Sequence, residues 1–213
     1  MKFQTLLWDL DGTLVDSAQD IATAVNLARA ELGHGPLELA TVKGFVGDGV
    51  QALIKRSVPE ADREPGLKLF WKHYDAHSLD TTLPYPGLQD VLDKSQAAGA
   101  KMGIVTNKPF SFSQKIVSGL GWQQTFGALL GGDSPHGRKP APAPIRAALE
   151  MLGTTTNGAL MIGDSINDVL SARAAGIPVC GVLFGIGEAD KMRELKPDYL
   201  AETPHSLFEI LGL

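Results

Sequence analysis

The stretch LLWDLDGTLVDS, Leu6 to Ser17, decides how this chain reads. A short apolar run stops on two aspartates, Asp9 and Asp11, one residue apart, and Gly12 and Thr13 follow at once. Residues at i and i+2 leave a strand on the same side, so both carboxylates face the same place. Two like charges held together where a core strand ends repel each other unless a cation sits with them. Placing that cation and its counter-groups organises the rest of the chain.

Working outward, short apolar runs alternate with helical patterns. Candidate strands are Phe3–Asp9, Lys101–Thr106, Gly127–Leu130, Ala159–Gly163 and Val179–Phe184, each followed by small or polar residues as buried parallel strands are. Candidate helices lie at Leu88–Ala98, Phe110–Leu120, Pro142–Leu152 and Asn167–Ala175, and Thr203-Pro204 reads as the opening of a last one. Strand–helix alternation predicts an α/β fold with a doubly wound parallel sheet. The alternation breaks between Asp16 and Leu83, where Ser17–Leu32, Gly49–Ser57 and Arg63–Ser78 read as helices and no strand is evident. The expected organisation is a core of residues 1–15 and 83–213, with a helical cap, 16–82, inserted after the first strand.

In an open α/β sheet the ligand site forms at the carboxyl ends of the strands. The first strand delivers Asp9, Asp11 and Thr13 there, the second Thr106 and Asn107, and the fourth Asp164, with Asp168 a turn later. The stretch RKPAP presents Lys139 just before a helix. Carboxylates crowded in this way suit a hard divalent cation with oxygen ligands, Mg2+ above all, whose shell a phosphate completes. Thr106 and Lys139 can then hold a phosphoryl group from the other side.

DLDGT at 9–13, VTNK at 105–108, RKPAP at 138–142 and GDSINDV at 163–169 resemble, in order, the four motifs of the haloacid dehalogenase superfamily of phosphatases. The likeness spans nearly the whole chain. The helical insertion resembles that superfamily's C1 cap, and the core it implies is Rossmann-like. VGDGV at 46–50, TNK at 106–108 and GGDSPHGRKPAP at 131–142 are most similar to the phosphoglycolate phosphatase group.

The resemblance implies roles. Asp9 would be the nucleophile that takes the phosphoryl group as an aspartyl-phosphate. Asp11 would be the acid for the leaving oxygen and then the base for water. Thr106 and Lys139 would hold phosphoryl oxygens and the charge of Asp9. Asp164 would bind Mg2+ with Asp9 and the backbone carbonyl of Asp11, and Asp168 would support the metal shell or pair with Lys139. Lys108 reads either as surface charge or as a contact to a substrate anion. In the cap, the glycines of VKGFVGDGV, Val42–Val50, let backbone approach a ligand, and helix-start N–H groups suit an anion. The expectation is that Gly47, Asp48 and Gly49 close over the carboxylate of 2-phosphoglycolate, with Lys43 nearby.

The alternatives share this chemistry. Another small metabolite, such as a sugar phosphate or phosphorylated muramic acid, is a second substrate class, and a phosphomutase of the β-phosphoglucomutase kind uses the same motifs and cap. Thr13 after Gly12 favours a phosphatase. A signalling receiver domain lacks the paired aspartates and the cap, and a dehalogenase needs no carboxylate cluster.

Composition bounds the rest. The 213 residues are 44% hydrophobic and 20% charged with a net charge of −5, and no long run of either sign points to nucleic acid or a membrane surface. The one cysteine, Cys180, lies in an apolar run and reads as a buried thiol. No signal-peptide pattern opens the chain, so the expected location is cytoplasmic, the partner a small phosphorylated metabolite, and the assembly a monomer or homodimer.

Overall fold

A computed structural model describes residues Met1–Leu213. The chain begins with β1 (Thr5–Trp8), whose side chains alternate between the two faces of a sheet, as the two-residue period of a strand requires. Leu6 and Trp8 enter one buried cluster, and Leu7 enters another. Both faces of the strand are thus covered, which explains why its sequence is continuously apolar rather than alternating.

After a tight turn come β2 (Val15–Asp16), α1 (Ala18–Glu31), α2 (Leu39–Lys43), α3 (Val50–Ser57), a short 3-10 turn at Glu60–Asp62, α4 (Arg63–His77) and β3 (Leu83–Pro84). The chain then winds through α5 (Leu88–Ala97), β4 (Lys101–Val105), α6 (Phe110–Gly119), β5 (Ala128–Leu130), α7 (Ala143–Met151), β6 (Ala159–Gly163), α8 (Ile166–Ala175), β7 (Val179–Val182), α9 (Ala189–Glu194), β8 (Tyr199–Ala201) and α10 (Ser206–Leu211). The main sheet has six strands in the order β5-β4-β1-β6-β7-β8, and every neighbouring pair is parallel. The order reverses on either side of β1, so the end of β1 is the switch point at which such sheets bind ligands. The architecture is the doubly wound α/β fold, with α5 and α10 among the helices on one face and α7 and α8 on the other.

The helices α1 to α4 form the insertion and carry their own buried cluster, built from Ile21, Val25, Val42, Leu53, Ile54, Phe70 and Tyr74 among others. One core residue, Phe112 of α6, joins that cluster, and its ring stacks on Trp71 at 5.0 Å. The chain leaves and re-enters the core through β2 and β3, which pair antiparallel, Val15 opposite Pro84 and Asp16 opposite Leu83. Beside this ribbon Asp20, in the first turn of α1, gathers Thr81 and Thr82. Its carboxylate accepts both backbone N–H groups at 2.9–3.1 Å and both hydroxyls at 2.6 and 2.7 Å.

Several expectations need correction. The strands are shorter than the apolar runs, since β1 stops at Trp8 and β7 at Val182. The sheet gains β8, whose apolar run YLA is only three residues long. The segment expected to lack strands contributes Asp16 and Leu83 to the two-stranded ribbon, and α2 lies in a stretch read as loop. Thr203-Pro204 does not open the last helix. They form the turn before it, in which the Thr203 hydroxyl accepts the Ser206 N–H at 3.3 Å. Cys180 is buried as expected, and burial pushes its thiol up to about 12. No helix is long and apolar enough to cross a membrane.

Candidate active site

Asp9 follows β1 directly. Its N–H is fixed to the Ile162 carbonyl of β6 at 2.9 Å, and its Oδ1 accepts the Leu10 N–H at 2.7 Å. The turn beyond it depends on Gly12, whose φ is +82°, and a Cβ there would stand 2.0 Å from Asp164 Oδ2. Glycine is therefore what lets the loop after β1 lie against the carboxylate delivered by β6. Asp164 is held from the far side, where its Oδ2 accepts the N–H groups of Ile186 and Gly187 at 3.0 and 2.8 Å.

Lys139 joins the set from the loop before α7. Its ammonium lies 2.9 Å from Asp9 Oδ1 and 2.5 Å from Asp168 Oδ1, and its side chain is almost wholly buried. Asp168 is doubly committed, because its Oδ2 also accepts the Ser165 N–H at 3.0 Å and the Ser165 hydroxyl at 2.6 Å in the capping box that starts α8. Asp168 thus pairs with Lys139, one of the two roles left open for it, while it also stands in the carboxylate cluster. The oxygens of Asp9, Asp164 and Asp168 lie within 4.8 Å of one another.

The electrostatics follow from this crowding. Burial, and then the charge of Asp168, push the Asp9 carboxyl above its usual range, against the pull of Lys139. Burial, followed by Asp9 and Asp168, pushes Asp164 up as well. Burial disfavours the charge on Lys139, but Asp168 and Asp9 outweigh it and hold the ammonium above its ordinary value. One ammonium among three buried carboxylates leaves negative charge uncompensated, and that excess suits a divalent cation with oxygen ligands.

The side chain of Asp11 points elsewhere. It accepts the Ser17 hydroxyl at 2.5 Å and the Lys108 ammonium at 2.9 and 3.0 Å, so its carboxylate is outside the metal-type cluster. Ser17 occupies the N-cap position of α1 as expected, but its hydroxyl makes no cap bond. Lys108 is buried rather than a surface charge, and it also donates to the Tyr74 hydroxyl at 2.6 Å.

A cavity of about 60 Å3 opens above these groups, lined by Asp9, Asp11, Thr106, Asn107 and Lys108 from the core. Ile21, Gly47, Gly49, Leu53, Phe70 and Tyr74 are among the residues that roof it. The cap is seated on the core by polar contacts. Asn107 Nδ2 donates to the Gly47 carbonyl at 2.9 Å and to the Lys139 carbonyl at 3.0 Å. Asn167 Nδ2 donates to Asp48 Oδ1 at 2.9 Å, and Arg138 donates to the Asp48 carbonyl at 3.2 Å. Asp48 pairs also with Arg56, so its carboxylate is used in holding the loop. Lys43 is not in the cavity. It lines a second cleft together with Gly47, Asp48, Arg56, Asp164 and Lys191.

Sequence reasoning missed Ser17, Tyr74, Asn167 and the Ile186–Gly187 backbone. Only the last carried a signal, the pair Gly185 and Gly187 directly after an apolar strand.

Comparison with known proteins agrees with this geometry. The family model described as haloacid dehalogenase-like hydrolase matches residues 6–182. A phosphoglycolate phosphatase of Psychrobacter arcticus is 36% identical over 208 residues, covering 92% of this chain and 90% of its own. One from Cereibacter sphaeroides is 42% identical over 179 residues, covering 81% of each. The crystal structure of a predicted phosphoglycolate phosphatase from Haemophilus somnus superposes with a TM-score of 0.92 at 27% identity over 99% of both chains. The paired aspartates that opened the sequence thus sit in a phosphatase, and the chain belongs to the haloacid dehalogenase-like hydrolase family.

Proposed function

We propose that the enzyme is a Mg2+-dependent phosphomonoester hydrolase that works through an aspartyl-phosphate, and that its substrate is 2-phosphoglycolate. The small space beneath the cap carries the substrate reading, because about 60 Å3 beside Asp9 and Thr106 favours a two-carbon leaving group over a hexose. The names of the similar proteins from Psychrobacter arcticus and Cereibacter sphaeroides support the same substrate.

The roles follow from position. Asp9 attacks phosphorus, with Lys139 at 2.9 Å keeping its carboxylate charged and aligned. Lys139 and the Thr106 hydroxyl hold phosphoryl oxygens. Asp11, separated from the carboxylate cluster by its bonds to Ser17 and Lys108, gives a proton to the departing alkoxide and then takes one from the water that releases phosphate. Splitting one displacement into two replaces a hard step by two easier ones. Asp9, Asp164 and the Asp11 backbone carbonyl would hold Mg2+, which supplies charge neutralisation at the phosphoryl oxygens. Asp168 acts through Lys139. Gly47, Asp48 and Gly49 form the latch that brings the roof down, and residues 16–82 move as one cap about the β2–β3 ribbon. Closure excludes bulk water and strengthens every charge interaction beneath the roof.

The test is kcat/KM with Mg2+ over 2-phosphoglycolate, glucose 6-phosphate, phosphorylated muramic acid and pyrophosphate. The reading expects 2-phosphoglycolate to lead the panel, and a leading sugar phosphate would refute it.

A further inference from the structure

Lys108 is the one cationic side chain lining the cavity between cap and core. Its ammonium has three neighbours: the two oxygens of Asp11 at 2.9 and 3.0 Å, and the hydroxyl of Tyr74 at 2.6 Å. It also stands 4.5 Å from the centroid of the Tyr74 ring. Tyr74 belongs to the cap, on α4, and is 1% exposed. Its ring stacks on Phe70 at 5.2 Å and meets Phe112 edge-on at 4.9 Å, so the phenol is held in one orientation toward the core. The rest of the nearby wall, Ile21, Leu53, Phe70 and Phe112, is apolar. Burying an ammonium there costs free energy, and a wall that only excluded water would not need one.

The position of this ammonium relates it to the substrate. On the reading given above, Asp11 contacts the ester oxygen that leaves. Lys108 Nζ is one hydrogen bond from Asp11, on the cap side. A substituent on the carbon attached to the ester oxygen lies two bonds beyond that oxygen, a reach comparable to the one hydrogen bond that separates Nζ from Asp11. The same carbon in a simple alkyl ester would carry only hydrogens toward the ammonium and leave its charge without a counterpart from the substrate.

We infer that Lys108, oriented by Tyr74 from the cap, is the subsite for a carboxylate on the carbon bearing the ester oxygen, so that the enzyme selects phosphate esters of 2-hydroxy acids. Phosphoglycolate is the smallest of that class. Lys108 binds the substrate, and Tyr74 is a positioning residue that makes the subsite complete only when the cap is seated. The inference rests on the phosphatase reading of Asp9 and Asp11 and adds the group that reads the leaving alcohol.

The experiment compares kcat/KM for 2-phosphoglycolate and for ethyl phosphate, the same ester without the carboxylate, in the Mg2+-loaded wild type, Lys108→Met and Tyr74→Phe. The ratio of the two is the readout, because any effect on Asp11 falls on both esters and cancels. Lys108→Met is expected to lower the ratio by about 10- to 100-fold, the range of a charge-assisted hydrogen bond, with the loss in KM for phosphoglycolate. Tyr74→Phe keeps the ring and its packing and should lower the ratio by roughly 3- to 10-fold. Where Lys108→Met does not fold, the Tyr74→Phe ratio decides. A wild type that prefers phosphoglycolate while both variants keep its ratio overturns the subsite and leaves the phosphatase reading standing. A wild type that hydrolyses both esters equally well overturns the subsite together with the substrate assignment. One that hydrolyses neither overturns the proposed function itself.

Discussion

The ammonium of Lys139 bridges Asp9 and Asp168, at 2.9 Å from one and 2.5 Å from the other, with all three side chains largely buried. This contact joins the loop before α7 to the end of β1 and the first turn of α8, and so ties stability to chemistry at one point. Removing one partner of a buried ion pair leaves the others uncompensated, which typically costs about 3–5 kcal/mol. Lys139→Met should therefore lower stability by about that amount in urea unfolding and also abolish turnover. Stability equal to that of the wild type would mean that the carboxylates relax or take up protons without cost.

Asp20 gives a pH prediction. Burial alone would raise its carboxyl, but the hydrogen bonds from Thr81 and Thr82 prevail and hold it below its ordinary value of 3.8. A carboxyl lowered in the folded state adds stability that is fully present above its unfolded value and is lost as pH falls through the folded one. Asp20→Asn should thus be less stable than wild type at neutral pH by about 1–3 kcal/mol. The difference should shrink as the pH drops below 3.8. Unfolding curves at neutral and acid pH check this, and a difference that does not change with pH counts against it.

Metal removal should be reversible and selective. Excess chelator is expected to stop turnover, Mg2+ to restore it, and Ca2+ to inhibit. Ca2+ takes more oxygen ligands at longer distances and can capture the second oxygen of Asp9. Full turnover in chelator would show that Asp9 and Asp164 stand together for another reason.

Gly47 tests the latch. Its φ is +115°, and its carbonyl accepts from Asn107. A valine there has open space, the nearest atom being Ser165 Cβ at 4.0 Å, but it is strained by the backbone angle. Gly47→Val should reduce kcat/KM for 2-phosphoglycolate by about 10-fold or more, from a strain of about 1–3 kcal/mol. It should reduce turnover of p-nitrophenyl phosphate much less, because that ester has no carboxylate for the loop to enclose. Equal losses would mean that the loop serves cap folding in general.

The sequence made the strand ends legible because they obey local rules. An apolar run stops, a carboxylate or hydroxyl follows, and a glycine or proline turns the chain. Asp9, Asp11, Thr106 and Asp164 carried that punctuation, and Lys139 stood out only by its place before Pro140 and a helix start. Short β8 went unread because the three residues of YLA, 199–201, are too few to show a strand pattern on their own. Tyr74 reads as one more aromatic on a buried helix face, and only the seating of α4 against Lys108 reveals its hydroxyl as part of the site. Lys43 stays beside Gly47 and Asp48 but lines a neighbouring cleft, because nearness to a glycine loop in sequence does not say which cavity a side chain lines.

The measurement that tests the central claim most directly is acid-quench trapping of the phosphorylated enzyme during turnover of 2-phosphoglycolate, followed by mass spectrometry of the peptide containing Asp9. Asp11→Asn, which should slow the first transfer as well as release by water, is quenched at longer times as a second sample. The account predicts one phosphoryl group on Asp9, and none when Asp9→Asn is treated in the same way. An enzyme that turns over while Asp9 stays unmodified at every quench time, or that carries the label on another residue, would contradict it.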